Sequence, residues 1–258
     1  MLWKWYKDDP QVCHYIFGTM HTASENAYKF VALAEKYIVS SALYAAEMDL
    51  HAATGSDLTS HFRLEDGNDL ASLYKPKHYT KMRKVILKSF GIDINGYKDF
   101  SPFFITNMLA GLCAKPVRPE ALDHHLWKFA LEAGKELAGL ESMEDQISIL
   151  GRIPMDFQVR SLRSAADNIS SFRKKINTLD DQYGRGDVKG LYFGARSSLG
   201  VIRQLMTTER NLKMTEKLLS LSSAKPTFAS AGAAHMYGRD GILAHLKRHG
   251  YKVKSVIN

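Results

Sequence analysis

At 258 residues, 45% hydrophobic and 24% charged, the chain has the composition of a folded globular protein with room for one large α/β domain, which excludes a disordered or fibrous protein. The formal charge of +8 reads as spread along the chain. Its densest stretch, Lys75 to Lys88, reads as an amphipathic helix with a solvated basic face and no interleaved aromatic platform, so no nucleic-acid partner is expected.

In chain order, His14-Tyr-Ile-Phe-Gly-Thr-Met-His21 is short, aromatic and β-branched, which predicts a buried strand ending in a glycine-containing turn with His21 at its C-terminal end. Ala23 to Tyr37 carries apolar residues at helical spacing behind Ser24, an N-cap residue type. Ala42 to Met48 predicts a second strand with Glu47 near its C-terminal end. From about 70 to 220 the patterns are helical: Tyr79 to Phe90, Pro102 to Cys113, Ala121 to Leu137, Met143 to Leu150, Met155 to Leu179 and Gly200 to Leu219. Turns at Pro116 and Pro119 and at Gln182 to Asp187 punctuate this block. The last forty or so residues return to β-α-β: a small-residue strand from Thr227, a helix from Gly238 to Arg248 closed by Gly250, and an alternating strand from Tyr251 to Val256. His235 lies just beyond the first of these strands.

Terminal strands around a helical middle region predict a single α/β domain over residues 1–258, in which N- and C-terminal strands share one sheet. In open α/β sheets ligands sit outside the carboxyl ends of the strands, where His21, Glu47 and His235 project. No run approaches the ~18 apolar residues of a membrane span, and no apolar N-terminal stretch ends in a cleavage site. A soluble protein is expected, either cytoplasmic or processed and extracytoplasmic. Cys13 and Cys113 follow no metal-ligand spacing and read as two buried thiols.

Two imidazoles and a carboxylate form a common first shell for a catalytic divalent ion, because each offers a lone pair and three protein ligands leave room for water. His21, His235 and Glu47 are therefore the candidate metal ligands, with Glu47 alternatively the general base. Gly18 and Gly232 each precede a histidine by three residues, where glycine permits positive φ or close approach of backbone or substrate. His124 and His125 point in different directions from a helix start. His245 and His249 share a helix C-terminus with Lys247 and Arg248 and suit its dipole. No H-E-x-x-H, G-x-S-x-G or P-loop occurs. Arg203 and Arg210 read as charges on a helix ahead of the second G-x-x-H.

The ordered set Phe17-Gly-Thr-Met-His21, Glu47-Met-Asp49, Gly139-Leu-Glu141, Glu144-Asp-Gln146, Tyr183 to Asp187, Glu209-Arg-Asn211 and Gly232-Ala-Ala-His235, with Gly238 and Gly241, resembles the TraB/GumN family, which includes the Tiki metalloproteases. That resemblance covers nearly the whole chain. It implies an erythromycin-esterase/ChaN-like fold and a metal-dependent peptidase using manganese- or cobalt-like ions, with zinc or calcium as alternatives. It places His21, His235 and Glu47 in the active-site core and gives Arg210 the role of holding a substrate oxygen or stabilising negative charge. Methionine follows His235 where the family pattern has leucine, a swap that preserves packing. The reading implied is a divalent-metal-dependent hydrolase acting on a peptide or small-molecule substrate. The alternatives are a non-catalytic ligand-sequestering protein of the pheromone-shutdown or GumN type and an esterase-like hydrolase.

Overall fold

A computed structural model describes residues 1–50, 58–65 and 67–256. Strands β1 (Leu2–Tyr6), β2 (His14–Thr19), β3 (Leu43–Met48), β4 (Glu136–Glu141), β5 (Thr227–Gly232) and β6 (Lys252–Ser255) form one sheet in the order β4-β3-β5-β2-β1-β6. The first four of that order pair in parallel, while β1 pairs antiparallel with both β2 and β6. N- and C-terminal strands therefore do share one sheet in a mixed α/β architecture. The helices are α1 (Glu25–Tyr28), α2 (Val31–Val39), α3 (Pro76–Phe90), α4 (Pro102–Cys113), α5 (Leu122–Glu132), α6 (Met143–Gly151), α7 (Met155–Asp167), α8 (Ile169–Gly184), α9 (Val188–Leu199), α10 (Arg210–Ser222) and α11 (Ile242–Arg248). By contact density the chain divides into a sheet unit (Met1–Gly55, Pro116–Gln146, Leu179–Asn258) and a helical unit (Ser56–Lys115, Ile147–Thr178).

In the sheet unit the period of two in the strands sends alternate residues to opposite faces. Leu2, Phe17, Tyr44, Ala46 and Phe228 cluster with Ala34 and Ile38 of α2 and with Leu126, Trp127 and Ala130 of α5. Trp5, Ile16, Leu43, Ala45 and Ala229 cluster with Met214 and Leu218 of α10 and with Ile242 and Leu246 of α11. Both faces are covered, which is why the central strands are apolar at successive positions rather than alternating with polar ones. The helical unit has its own core, with Leu70, Tyr79, Met82, Ile86, Ile105, Leu109 and Leu162 at its centre.

Several sequence expectations change. The helical block over 70–220 is interrupted: the helix expected to run to Leu137 ends at Glu132, Gly134 turns the chain at φ 66°, and Glu136–Glu141 pairs with β3. Glu-Leu-Ala-Gly-Leu-Glu has no β-branched residue, so only its sheet partner makes it a strand. Ser24 does cap a helix, accepting from the Ala27 N–H at 3.1 Å, but that helix stops at Tyr28 and a second begins at Val31. The segment from Met155 is broken at Asn168, whose φ of −141° lies outside the helical region. A π-helical turn (Gln204–Glu209) precedes α10. Strand β1 and helix α9 were not singled out in the sequence.

Nor is the charge spread evenly. The helical unit contains 15 Lys and Arg against 8 Asp and Glu, so it holds +7 of the chain's +8. The two segments composing that unit are separated in sequence by residues 116–146 of the sheet unit, where 3 Lys and Arg stand against 7 Asp and Glu, so a sum over the whole chain hides the contrast.

Candidate active site

Parallel pairing aligns the carboxyl ends of four strands. Thr19 of β2 sits opposite Gly232 of β5, and Met48 of β3 opposite Glu141 of β4. The chain leaves β2 into His21, and leaves β5 into a single 3-10 turn, Ala233–His235, that carries His235. Glu47 projects from β3 and Glu141 from the last position of β4, while α10 supplies Arg210 and Asn211 from its first turn. Thus His21, Glu47, Arg210 and His235, up to 214 positions apart in sequence, meet at the strand ends.

Glu47 holds the centre. Its Oε1 accepts from Arg210 Nη2 at 2.5 Å and its Oε2 from the Gly232 N–H at 2.7 Å. The same Oε2 lies 3.8 Å from His21 Nε2. Arg210 also donates to Glu141 through Nε at 2.8 Å and Nη2 at 2.5 Å, so one guanidinium bridges two carboxylates that are both buried. Burial alone would raise the Glu47 pKa; the His235 ring, the Arg210 charge, His21 and the Gly232 N–H outweigh it and hold the carboxyl well below the usual range.

The two histidines are anchored alike at Nδ1, and their surroundings shift them in opposite directions. His21 Nδ1 meets Asp123 Oδ2 at 2.8 Å, and the carboxylate raises the imidazole above its ordinary pKa although the side chain is 63% exposed. His235 Nδ1 meets Asn211 Oδ1 at 2.6 Å, and the Asn211 amide is oriented by donating its Nδ2 to the Asp240 carbonyl at 2.6 Å. With Oδ1 so placed, Nδ1 of His235 must be the donor, leaving the lone pair on Nε2. Burial pushes this imidazole down to about 4, so it stays neutral.

Glycine serves the site by its missing side chain rather than by unusual backbone. Neither Gly18 nor Gly232 has positive φ, contrary to one of the two reasons expected from the sequence. A Cβ on Gly18 would sit 3.1 Å from Ala233 Cα, and one on Gly232 would lie 3.4 Å from Glu47 Oε2, 3.4 Å from His235 Cδ2 and 3.8 Å from His21 Nε2. The hydrogen of Gly232 therefore keeps open the space that the three groups face. Tyr183, buried, donates its hydroxyl to the Gly18 carbonyl at 2.8 Å and fixes the first turn.

A divalent cation fits the chemistry of these donors in two respects. Each Nδ1 is held by an oxygen, the arrangement that orients an imidazole to ligate through Nε2, and three carboxylates (Glu47, Glu141, Asp123) stand against one guanidinium. Among the described residues, however, no group of three or more His, Cys, Asp or Glu side chains is spaced to hold a metal ion. Both oxygens of Glu47 already have donors.

The remaining candidates lie elsewhere. His125 pairs with Glu35 at 2.7 Å, and His249 Nδ1 bonds the His245 carbonyl at 2.9 Å. Sequence reasoning assigned no role to Asp123, Asn211 or Glu141. Glu141 carries the signal that marked Glu47, a carboxylate at a strand end, hidden because its strand read as helix. Asp123 offered only a first-turn acidic residue, and Asn211 only its place beside Arg210.

The sequence pattern of the TraB/PrgY/gumN family matches residues 1–255. Over 189 residues the chain is 22% identical to a protein named metalloprotease TIKI homolog from Nematostella vectensis, a match spanning 60% of this chain and 40% of that protein. The matched region is thus less than half the length of that relative. No solved structure matches the chain. Among the described residues no helix is long and apolar enough to cross a membrane.

Proposed function

The chain belongs to the TraB/PrgY/gumN family, and from that premise we propose that it is a hydrolase, and more narrowly a divalent-metal-dependent peptidase acting at the His21–Glu47–His235 cluster. The observation that carries this reading is the pair of imidazoles, brought from opposite ends of the chain to one carboxylate, with each Nδ1 held by an oxygen. His21 and His235 would hold the ion through Nε2, and manganese or cobalt is the first choice. When bound, the ion would polarise a substrate carbonyl and lower the pKa of water. Glu47, kept ionised by Arg210 and the Gly232 N–H, accepts a proton at Oε2. Arg210 fixes Glu47 in place and presents positive charge where negative charge develops. The strands running in parallel to a common site also support the erythromycin-esterase/ChaN-like fold and a single domain.

The test is to strip the purified protein with chelator, restore Mn²⁺, Co²⁺, Zn²⁺ or Ca²⁺ in turn, and follow cleavage of a quenched peptide library. Cleavage that requires added metal is expected. Stoichiometric metal binding without cleavage of any peptide would move the reading to a ligand-sequestering protein or an esterase, and absence of metal binding would remove it. Glu47→Gln separates the two roles open to that residue: retained metal affinity with lost turnover is expected of the proton acceptor, whereas lost affinity would make Glu47 a ligand.

Gly232→Ala gives a sharper probe. The added methyl makes ordinary van der Waals contacts at 3.4 Å, so unfolding free energy should change by less than about 1 kcal/mol. It occupies the space between the three groups, and turnover should fall roughly a hundredfold, the scale of a 1 Å misplacement of reacting groups. Near-wild-type kcat/KM in this variant would place the reacting atoms elsewhere.

A further inference from the structure

The +7 of the helical unit is not diffuse. Lys77, Lys81, Lys84 and Lys88 follow one another on α3 at intervals of four, three and four, which puts them along one side of the helix. The opposite side, Tyr79, Met82 and Ile86, is buried in the unit's core. At 1.5 Å per residue this lysine row is about 16 Å long. It is extended by neighbouring helices. Lys81 Nζ and Arg163 Nε, the latter on α7, share Asp167 at 3.0 and 3.5 Å. The Arg173 guanidinium lies 4.6 Å from the centre of the Phe90 ring and donates to the Ser89 carbonyl, which brings the exposed Arg173-Lys-Lys175 run of α8 against the C-terminal end of the row.

The distribution of partners within the unit separates its lysines from its arginines. Arg83 is held bidentately by Asp93 at 2.6 to 2.7 Å. Arg63 pairs with Asp99 at 3.9 Å, Arg160 with Asp156 at 3.7 Å, Arg163 with Asp167 and Arg173 with Phe90 and Ser89. By contrast, Lys77, Lys84, Lys88, Lys174 and Lys175 form no ion pair among the described residues. Three unpaired ammonium groups thus share one side of α3, with two more exposed lysines on the helix that Arg173 ties to its C-terminal end, and Leu87, 46% exposed, lies one turn from Lys84.

We propose that this face docks the helical unit on an anionic phospholipid surface. Flexible lysines act as point charges toward a fluid layer of phosphates, each contributing near the surface, while an exposed leucine on the same helix can enter the headgroup region. Nucleic acid is the less favoured polyanion. Base reading relies on free, planar guanidinium groups and single-strand binding on exposed aromatics; here the arginines are engaged, and the unit's exposed large apolar residues among those described are Leu87, Leu112 and Met155, none aromatic.

The full chain is to be floated with phosphatidylcholine vesicles with and without phosphatidylglycerol, at low and high salt. Binding is expected only with phosphatidylglycerol, weakening as salt rises. Lys77→Gln/Lys84→Gln/Lys88→Gln should reduce it roughly a hundredfold, while Lys29→Gln/Lys189→Gln/Lys217→Gln, which removes the same charge from exposed positions of the sheet unit, should change it little. Circular dichroism and a thermal melt confirm that both variants fold. Equal binding to neutral vesicles, equal losses in the two variants, or tighter binding to a DNA duplex than to anionic vesicles at the same salt would each overturn the proposal.

Discussion

Arg210→Met is expected to lower the unfolding free energy by about 3–5 kcal/mol, the cost of removing one partner from a buried ionic group. The methionine fills much of the same volume, so the loss reports charge rather than a cavity. Without the guanidinium, Glu47 and Glu141 are left buried side by side, and Glu47 retains the Gly232 N–H and the His21 imidazole 3.8 Å away. The pH dependence should weaken as well. In the wild type the Glu47 pKa is depressed, so its contribution is fully present above the unfolded value of about 4.3 and declines as pH falls below it. In the variant the Arg210 contribution is lost while those of His235, His21 and the Gly232 N–H remain, so the Glu47 carboxyl moves back up toward its ordinary range and its contribution to the loss of stability on acidification should shrink. Urea unfolding at several pH values checks both statements; a loss under about 1 kcal/mol would mean that solvent reaches both carboxylates.

The second large effect is a ranking. His21→Ala and His235→Ala should each bring peptide cleavage to background, while Asp123→Ala and Asn211→Ala should each cost about 10–100-fold in metal affinity or activity, the range for partners that orient a ligating imidazole. The two orienting residues should differ in kind. Asp123 supplies a charge that raises the basicity of His21, so Asp123→Asn keeps a hydrogen-bonding group but removes that charge. Asn211 supplies direction to a neutral ring, and Asn211→Asp would add charge beside His235. Calorimetric titration of metal into the variants, alongside single-turnover cleavage, separates loss of binding from loss of chemistry. Full activity in Asp123→Ala would show that His21 needs no orienting partner.

The residues that ended at one site were legible in the sequence where their signal was local. A glycine three positions before a histidine, next to an apolar strand, can be read without knowing the fold. Gly18-Thr-Met-His21 and Gly232-Ala-Ala-His235 both stood out for that reason, and Glu47 did so as a carboxylate closing a short apolar run. The order of those motifs along the chain also carried the family resemblance. The partners that define their chemistry carried no such signal. Asp123 meets His21 across 102 positions and Arg210 meets Glu141 across 69, and neither pairing leaves a trace in local periodicity.

What the sequence by itself determined is the alternation of strand and helix at both ends, the sharing of one sheet by those ends, and the placing of the two histidines and Glu47 at strand termini, because apolar periodicity and glycine turns are properties of neighbouring residues. What only the tertiary structure decided is non-local. Glu136–Glu141 became a strand because β3 offered it unpaired backbone groups. Two basic segments became one face because α3, α7 and the start of α8 share a core. His21 and His235 acquired opposite charge preferences because burial and a carboxylate or amide partner, each fixed by packing, set the free energy of a proton.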